Sequence, residues 1–150
     1  MLVYRTKAVI FNNIQKVEMT SYSYLTERTM SKVLIVDDEP NILLSLEFLM
    51  KKQGYKVFIA RDGEEAMDII NEEVPEIVVL DIMMPQVDGY EVCTYIKASP
   101  SFQHIKVIFL TAKTKPEDIE KGKEIGADAY MTKPFSTRNL MKKVKEMLVA

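Results

Sequence analysis

One cysteine, Cys93, and one histidine, His104, are all that the chain holds of either residue. A lone cysteine closes no intramolecular disulfide, and with one imidazole it leaves no ligand set for zinc. No apolar run approaches the roughly 20 residues that a membrane-spanning helix needs. Positive charge is not in excess either. The net charge is -2, which removes the general electrostatic case for nucleic acid or an anionic membrane as partner. Internal repeats and low-complexity stretches are missing. What remains is 47% hydrophobic and 28% charged, the balance of an ordinary globular protein. At 150 residues the chain can build one domain with a real core. A reducing cytoplasm is the expected location.

The stretch Ile77-Val78-Val79-Leu80-Asp81 organises the rest. Four apolar residues, three of them β-branched, predict a short strand buried on both faces. That strand ends on a carboxylate, and the turn-forming segment Met84-Pro85 to Asp88-Gly89 follows it. Two further apolar runs end in the same way. Val33 to Val36 leads into Asp37-Asp38-Glu39, and Val107 to Leu110 leads into Thr111. A shorter patch, Ala129-Tyr130-Met131, leads into Thr132-Lys133-Pro134. Parallel pairing of these strands would bring Asp37, Asp38, Asp81, Thr111 and Lys133 to one edge, the edge at which open α/β sheets bind ligands.

Helical signals separate the strands. Pro40 opens a helix whose apolar face is Ile42, Leu43, Leu46, Leu49 and Met50 and which Gly54 stops. A strand is expected over 55–60, a helix from Asp62-Gly63 to Pro75, and a short helix over 90–98. A charged helix over 116–125 ends at Gly126, and Ser136 caps a last helix striped by Leu140, Met141, Val144, Met147 and Leu148. Five β-α units with right-handed crossovers make a doubly wound α/β domain.

Residues 1–30 read differently. Arg5, Lys7, Lys16 and Arg28 against Glu18 and Glu27 give this segment +2, leaving -4 for the remainder. The expectation is an N-terminal extension, either a disordered tail or sequence upstream of a true start at Met30; a small interaction or membrane-surface segment is the alternative. The domain proper is expected over 31–150.

Asp37 and Asp38 cannot both lie near Asp81 as bare anions without strong repulsion. A divalent cation with oxygen ligands, such as magnesium, resolves this. The pair alone reads equally as a cap on the following helix, at its positive end. Lys133 supplies a point charge for a phosphate oxygen and Thr111 a hydroxyl. The X-Pro bond after Lys133 is of the kind that can turn tightly in the cis form. Singly, such a lysine is a solvated loop residue and such a threonine satisfies backbone. Together, nucleophile, metal, cation and hydroxyl suit phosphoryl transfer.

The four segments Lys32 to Pro40, Asp81 to Gly89, Leu110-Thr111-Ala112 and Gly126 to Phe135, in this order and spacing, resemble the signatures of the response regulator receiver domain. The resemblance implies a flavodoxin-like sheet of order 2-1-3-4-5 with five helices. It implies Asp81 as phosphoacceptor from a sensor histidine kinase or histidine phosphotransfer protein. It implies Mg2+ held by Asp37, Asp38, Asp81 and the backbone carbonyl of Met83, with Lys133 on the phosphoryl oxygens. Thr111 and Tyr130 are implied as the switch pair that alters the surface of the fourth helix, fifth strand and fifth helix toward a downstream protein effector. Taken alone, Tyr130 reads better as an ordinary strand aromatic than as a switch residue.

Such a protein is no turnover enzyme; it catalyses only its own phosphorylation and dephosphorylation. With nothing after Ala150, a stand-alone receiver is expected. Ala129 and Asn139 stand where dimerising receivers carry acids, and Arg138, Lys142, Lys143 and Lys145 make the last helix basic, so a monomer is expected. The other readings are a receiver-like module that is never phosphorylated and a flavodoxin-like cofactor-binding module. The flavin reading is disfavoured because the loops after the strands carry acids rather than an anion cradle.

Overall fold

Alternation along the strands decides the architecture. In the computed structural model, which describes residues 30–149, Val33, Ile35, Ile77, Val79, Ile108 and Leu110 face one side of a sheet, where Leu43, Leu46, Met50, Leu140 and Val144 cover them. Their neighbours Leu34, Val36, Val78, Leu80, Val107 and Phe109 face the other side, against Ala66, Ile70, Val92, Cys93 and Ile96. Both faces are dry, so the strands read as continuous apolar runs rather than as alternating ones.

The elements are β1 (Lys32–Val36), α1 (Pro40–Lys52), β2 (Lys56–Ala60), α2 (Gly63–Glu73), β3 (Ile77–Leu80), α3 (Gly89–Ala98), β4 (Lys106–Thr111), α4 (Pro116–Ile125), β5 (Ala129–Thr132) and α5 (Thr137–Val149). The five strands are parallel in the order β2-β1-β3-β4-β5. The doubly wound class and the strand order expected above are both present, with boundaries within two residues of those read from the sequence. Chain order reverses between β1 and β3, where a crevice opens at the carboxyl ends.

Local chemistry sets the helix ends. Asp62 accepts the Glu65 N–H at 2.8 Å at the start of α2. At α3 a full capping box forms: Asp88 accepts the Glu91 N–H at 2.9 Å, and the Glu91 carboxylate accepts the Asp88 N–H at 3.1 Å. The Ser136 hydroxyl accepts the Asn139 N–H at 3.2 Å, as expected of a cap on α5. Gly126, at φ +108°, ends α4 in the left-handed region.

Gly89 fastens α3 to the loop that carries Asp81. Its N–H donates to the Ile82 carbonyl at 3.0 Å, and a Cβ at this position would lie 2.3 Å from the Asp81 carbonyl oxygen. Because the obstacle is backbone, Gly89→Ala is expected to cost on the order of 3 kcal/mol. Denaturant unfolding checks this, and an unchanged midpoint would mean that the loop yields freely.

The N-terminal extension read over 1–30 falls, up to residue 29, outside the described residues. Among the described residues no helix is long and apolar enough to cross a membrane.

Candidate functional site

Strand register brings the polar residues together. Val36 pairs with Leu80, so Asp37 and Asp81 each stand one residue beyond a paired position on adjacent strands. The Asp81 N–H donates to the Val36 carbonyl at 2.9 Å, which fixes that step. On the other side Thr111 pairs with Thr132, and the Lys133 N–H donates to the Thr111 carbonyl at 2.8 Å. Sequence position and sheet order alone thus place Asp37, Asp81, Thr111 and Lys133 along one edge.

Lys133 is the hub. Its ammonium lies 2.7 Å from Asp37 Oδ2, 3.0 Å from Glu39 Oε1 and 3.5 Å from Asp81 Oδ2. Asp37 and Asp81 are almost fully buried, at 2% and 4% exposure, and Thr111 is buried completely. The peptide between Lys133 and Pro134 is cis.

The two buried carboxylates are held differently. Asp37 uses both oxygens: Oδ1 accepts the Glu39 N–H at 2.9 Å while Oδ2 takes the ammonium. Asp81 Oδ1 accepts the Met83 N–H at 3.2 Å, whereas Oδ2 has only the longer contact to Lys133. Oδ2 of Asp81 is therefore the least engaged oxygen of the buried pair.

Burial raises the Asp37 carboxyl above its ordinary value, against the lowering effect of its hydrogen bonds from Lys133 and Glu39; the charge of Asp81 adds to the rise. For Lys133 burial acts downward, but hydrogen bonds to Asp37 and Glu39 and the charge of Asp81 outweigh it, and the net shift is upward. The lysine is a full cation throughout the neutral range.

Carboxylate oxygens of Asp37, Asp38 and Glu39 lie within 4.8 Å of one another, Asp37 buried and the other two exposed. Hard oxygen donors with neither imidazole nor thiolate among them fit a cation of the magnesium or calcium type. Capping does not account for the pair: the N-cap of α1 is Glu39, which makes no side-chain cap bond, and Asp37 turns back onto the Glu39 N–H instead. Asp81 meets this acidic set through Lys133. Glu39 had no role in the sequence reading. Its signal was available, a third consecutive acid at the end of the strand, directly before the Pro40 that starts the helix.

Thr111 and Tyr130 complete the edge. The Thr111 hydroxyl accepts the Lys113 N–H at 3.3 Å. Tyr130 lies half-buried with its ring against Phe109, centroids 5.9 Å apart, and its hydroxyl donates to the Lys113 carbonyl at 2.9 Å. Burial, reinforced by the neighbouring Tyr90 and Asp118, pushes its phenol well up, so it acts as a neutral donor.

Residues 33–145 match the family model of the response regulator receiver domain. The BeF3-activated receiver domain of DrrB is 38% identical, with 81% of this chain and all of that one covered and a TM-score of 0.75. A CheY-like receiver domain protein from Methanospirillum hungatei is 32% identical, over 80% of this chain and 94% of that one, with a TM-score of 0.76. The chemotaxis response regulator CheY4 of Vibrio cholerae is 30% identical, over 79% of this chain and 99% of that one, with a TM-score of 0.74.

Proposed function

The chain belongs to the response regulator receiver family, whose members switch by phosphorylation, and on that premise we propose that Asp81 is its phosphoacceptor. The observation that carries the assignment is the lightly engaged Oδ2 at a buried strand end, 3.5 Å from an ammonium. This oxygen attacks phosphorus. A P–O bond to Asp81 forms as the bond from phosphorus to the donor breaks, and the donor departs with the electron pair. Lys133 then faces a group of nearly two negative charges in place of a monoanion. Hydrolysis of the acyl phosphate by water resets the site.

Mg2+ is the cation that Asp37 and Asp38, with Asp81 and the Met83 carbonyl, would hold, and it would neutralise the phosphoryl oxygens. Glu39 offers a further oxygen beside them. The donor is a phosphohistidine of a sensor kinase or a phosphotransfer protein. Its approach is supported by the surface next to Lys133, where Ile42, Ala112, Pro134 and Phe135 line a shallow depression. Thr111 and Tyr130 carry the response to the α4-β5-α5 surface, which a downstream protein reads.

Incubation with acetyl phosphate tests this. Intact mass is expected to rise by one phosphoryl group with Mg2+ and to stay unchanged with EDTA. A chain that gains nothing from acetyl phosphate or from a phosphorylated kinase overturns the assignment.

A further inference from the structure

Tyr90 is the second residue of α3, directly after the Gly89 that rests on the Asp81 backbone. Nothing in phosphoryl transfer requires a tyrosine there. Its side chain is nonetheless tied down at every atom that can bind. The ring packs edge-on against Phe109, centroids 5.6 Å apart at 70°. The Lys121 ammonium lies over the ring, 4.3 Å from its centroid. The hydroxyl donates to the Asp118 carbonyl, in the first turn of α4, at 3.1 Å.

These contacts close a circuit with Tyr130. Phe109 is shared, with Tyr90 on one side and Tyr130 on the other. Tyr130 grips the Lys113 carbonyl and Tyr90 the Asp118 carbonyl. The side chains of those two gripped residues pair with each other, Lys113 Nζ to Asp118 Oδ1 at 3.7 Å. Gly122 lets α4 settle onto the rings: a Cβ there would lie 3.1 Å from Tyr130 and 3.2 Å from Phe109. α4 is thus held at its first turn from the start of α3, which Gly89 fastens to the backbone of Asp81 and Ile82, by a route that does not pass through Thr111.

We propose that Tyr90 is a positioning residue of the switch, whose hydroxyl ties the start of α3 to α4 and favours the arrangement in which Tyr130 lies inward. The inference rests on the α4-β5-α5 reading above and adds a second connection to it. The Tyr90 hydroxyl bonds to the Asp118 carbonyl and to none of Asp37, Asp38, Asp81 or Lys133. It acts by biasing a two-state helix position, and linkage makes that bias measurable from the acceptor site.

Beryllofluoride, a phosphoryl stand-in, is titrated into the full chain at saturating Mg2+, with amide NMR resonances of residues 113–122 as the readout. Tyr90→Phe keeps the ring and removes only the hydroxyl. A hydrogen bond made in the favoured arrangement alone is worth about 1 kcal/mol, so the variant is expected to need about fivefold more beryllofluoride. Unchanged affinity with a lowered melting temperature would make the bond equally present in both arrangements and overturn the inference. A raised affinity would place the tether in the resting arrangement and overturn it too. Wild type that binds no beryllofluoride would remove the phosphoacceptor reading as well, whereas the two Tyr90→Phe outcomes leave that reading intact.

Discussion

Asp81→Asn protein incubated with acetyl phosphate and Mg2+ is expected to show no phosphoryl gain above background, while the wild-type protein gains one group. The prediction is sharp because other acids are within reach. Asp37 is as deeply buried and lies on the same ammonium. What separates the two is the occupancy of their oxygens. Both oxygens of Asp37 are in hydrogen bonds of 2.9 Å or less, and an oxygen that has given its lone pairs to an N–H and an ammonium is a poor nucleophile. Asp81 keeps one oxygen with a single 3.5 Å contact. Asparagine retains an acceptor for the Met83 N–H, and Lys133 keeps Asp37 and Glu39, so the variant is expected to fold within about 1 kcal/mol of wild type. Peptide mapping completes the test. A phosphoryl group found on Asp37, Asp38 or Glu39 of the variant would show that position in the crevice, and not the freedom of one oxygen, selects the acceptor.

The reading of the sheet from sequence succeeded because it needed only local information. Three β-branched runs between turn residues read as buried strands, and with two weaker apolar patches, all alternating with 3.6-periodic stretches, they leave one family of topologies. The edge followed from the sheet. Once the strands are parallel, the residues after Val36, Leu80 and Thr132 must meet, and Asp37, Asp81 and Lys133 do.

What was not legible depends on which atoms of a residue are spent. Asp37 and Asp38 looked like a matched pair, yet one is buried and bonded at both oxygens and the other is exposed. Glu39 had no role in the sequence reading, yet it reaches across 94 residues of chain to Lys133. Tyr90 entered the sequence reading only as the start of a short helix; its hydroxyl is committed to a neighbouring helix whose position no periodicity predicts. Apolar patterning reports which face of an element is buried. It says nothing of the hydrogen bonds at the polar tips, and those tips make this site.

Replacing Lys133 by methionine is expected to move three quantities in different directions. Stability falls first. Two buried carboxylates and Glu39 lose their common cation, and breaking a buried pair from one side costs roughly 3–5 kcal/mol. The loss depends on pH through Asp37. Its carboxyl is raised in the folded state by burial, so the native protein holds that proton more tightly than the unfolded chain does, and stability declines as pH climbs from the ordinary value of 3.8 through the folded value. Without the hydrogen bond from Lys133, which pulls this carboxyl down, the folded value goes higher and the window widens. The deficit of the variant against wild type is therefore largest at neutral pH and shrinks as pH falls through the folded value of Asp37, as paired denaturant curves would show; a deficit independent of pH would mean that Asp37 is not the group left unpaired. Affinity for Mg2+ moves the other way. The ammonium sits on Asp37 Oδ2 at 2.7 Å, where it repels and competes with a cation, so the variant is expected to bind Mg2+ on the order of tenfold more tightly by calorimetry. Phosphorylation by acetyl phosphate is nevertheless expected to slow by roughly 10²-fold, because the charge that would meet the phosphoryl oxygens is gone. Tighter metal with slower transfer assigns Lys133 to the phosphoryl group rather than to the metal. A variant that loses both together would make the lysine a scaffold for the acidic cluster and nothing more.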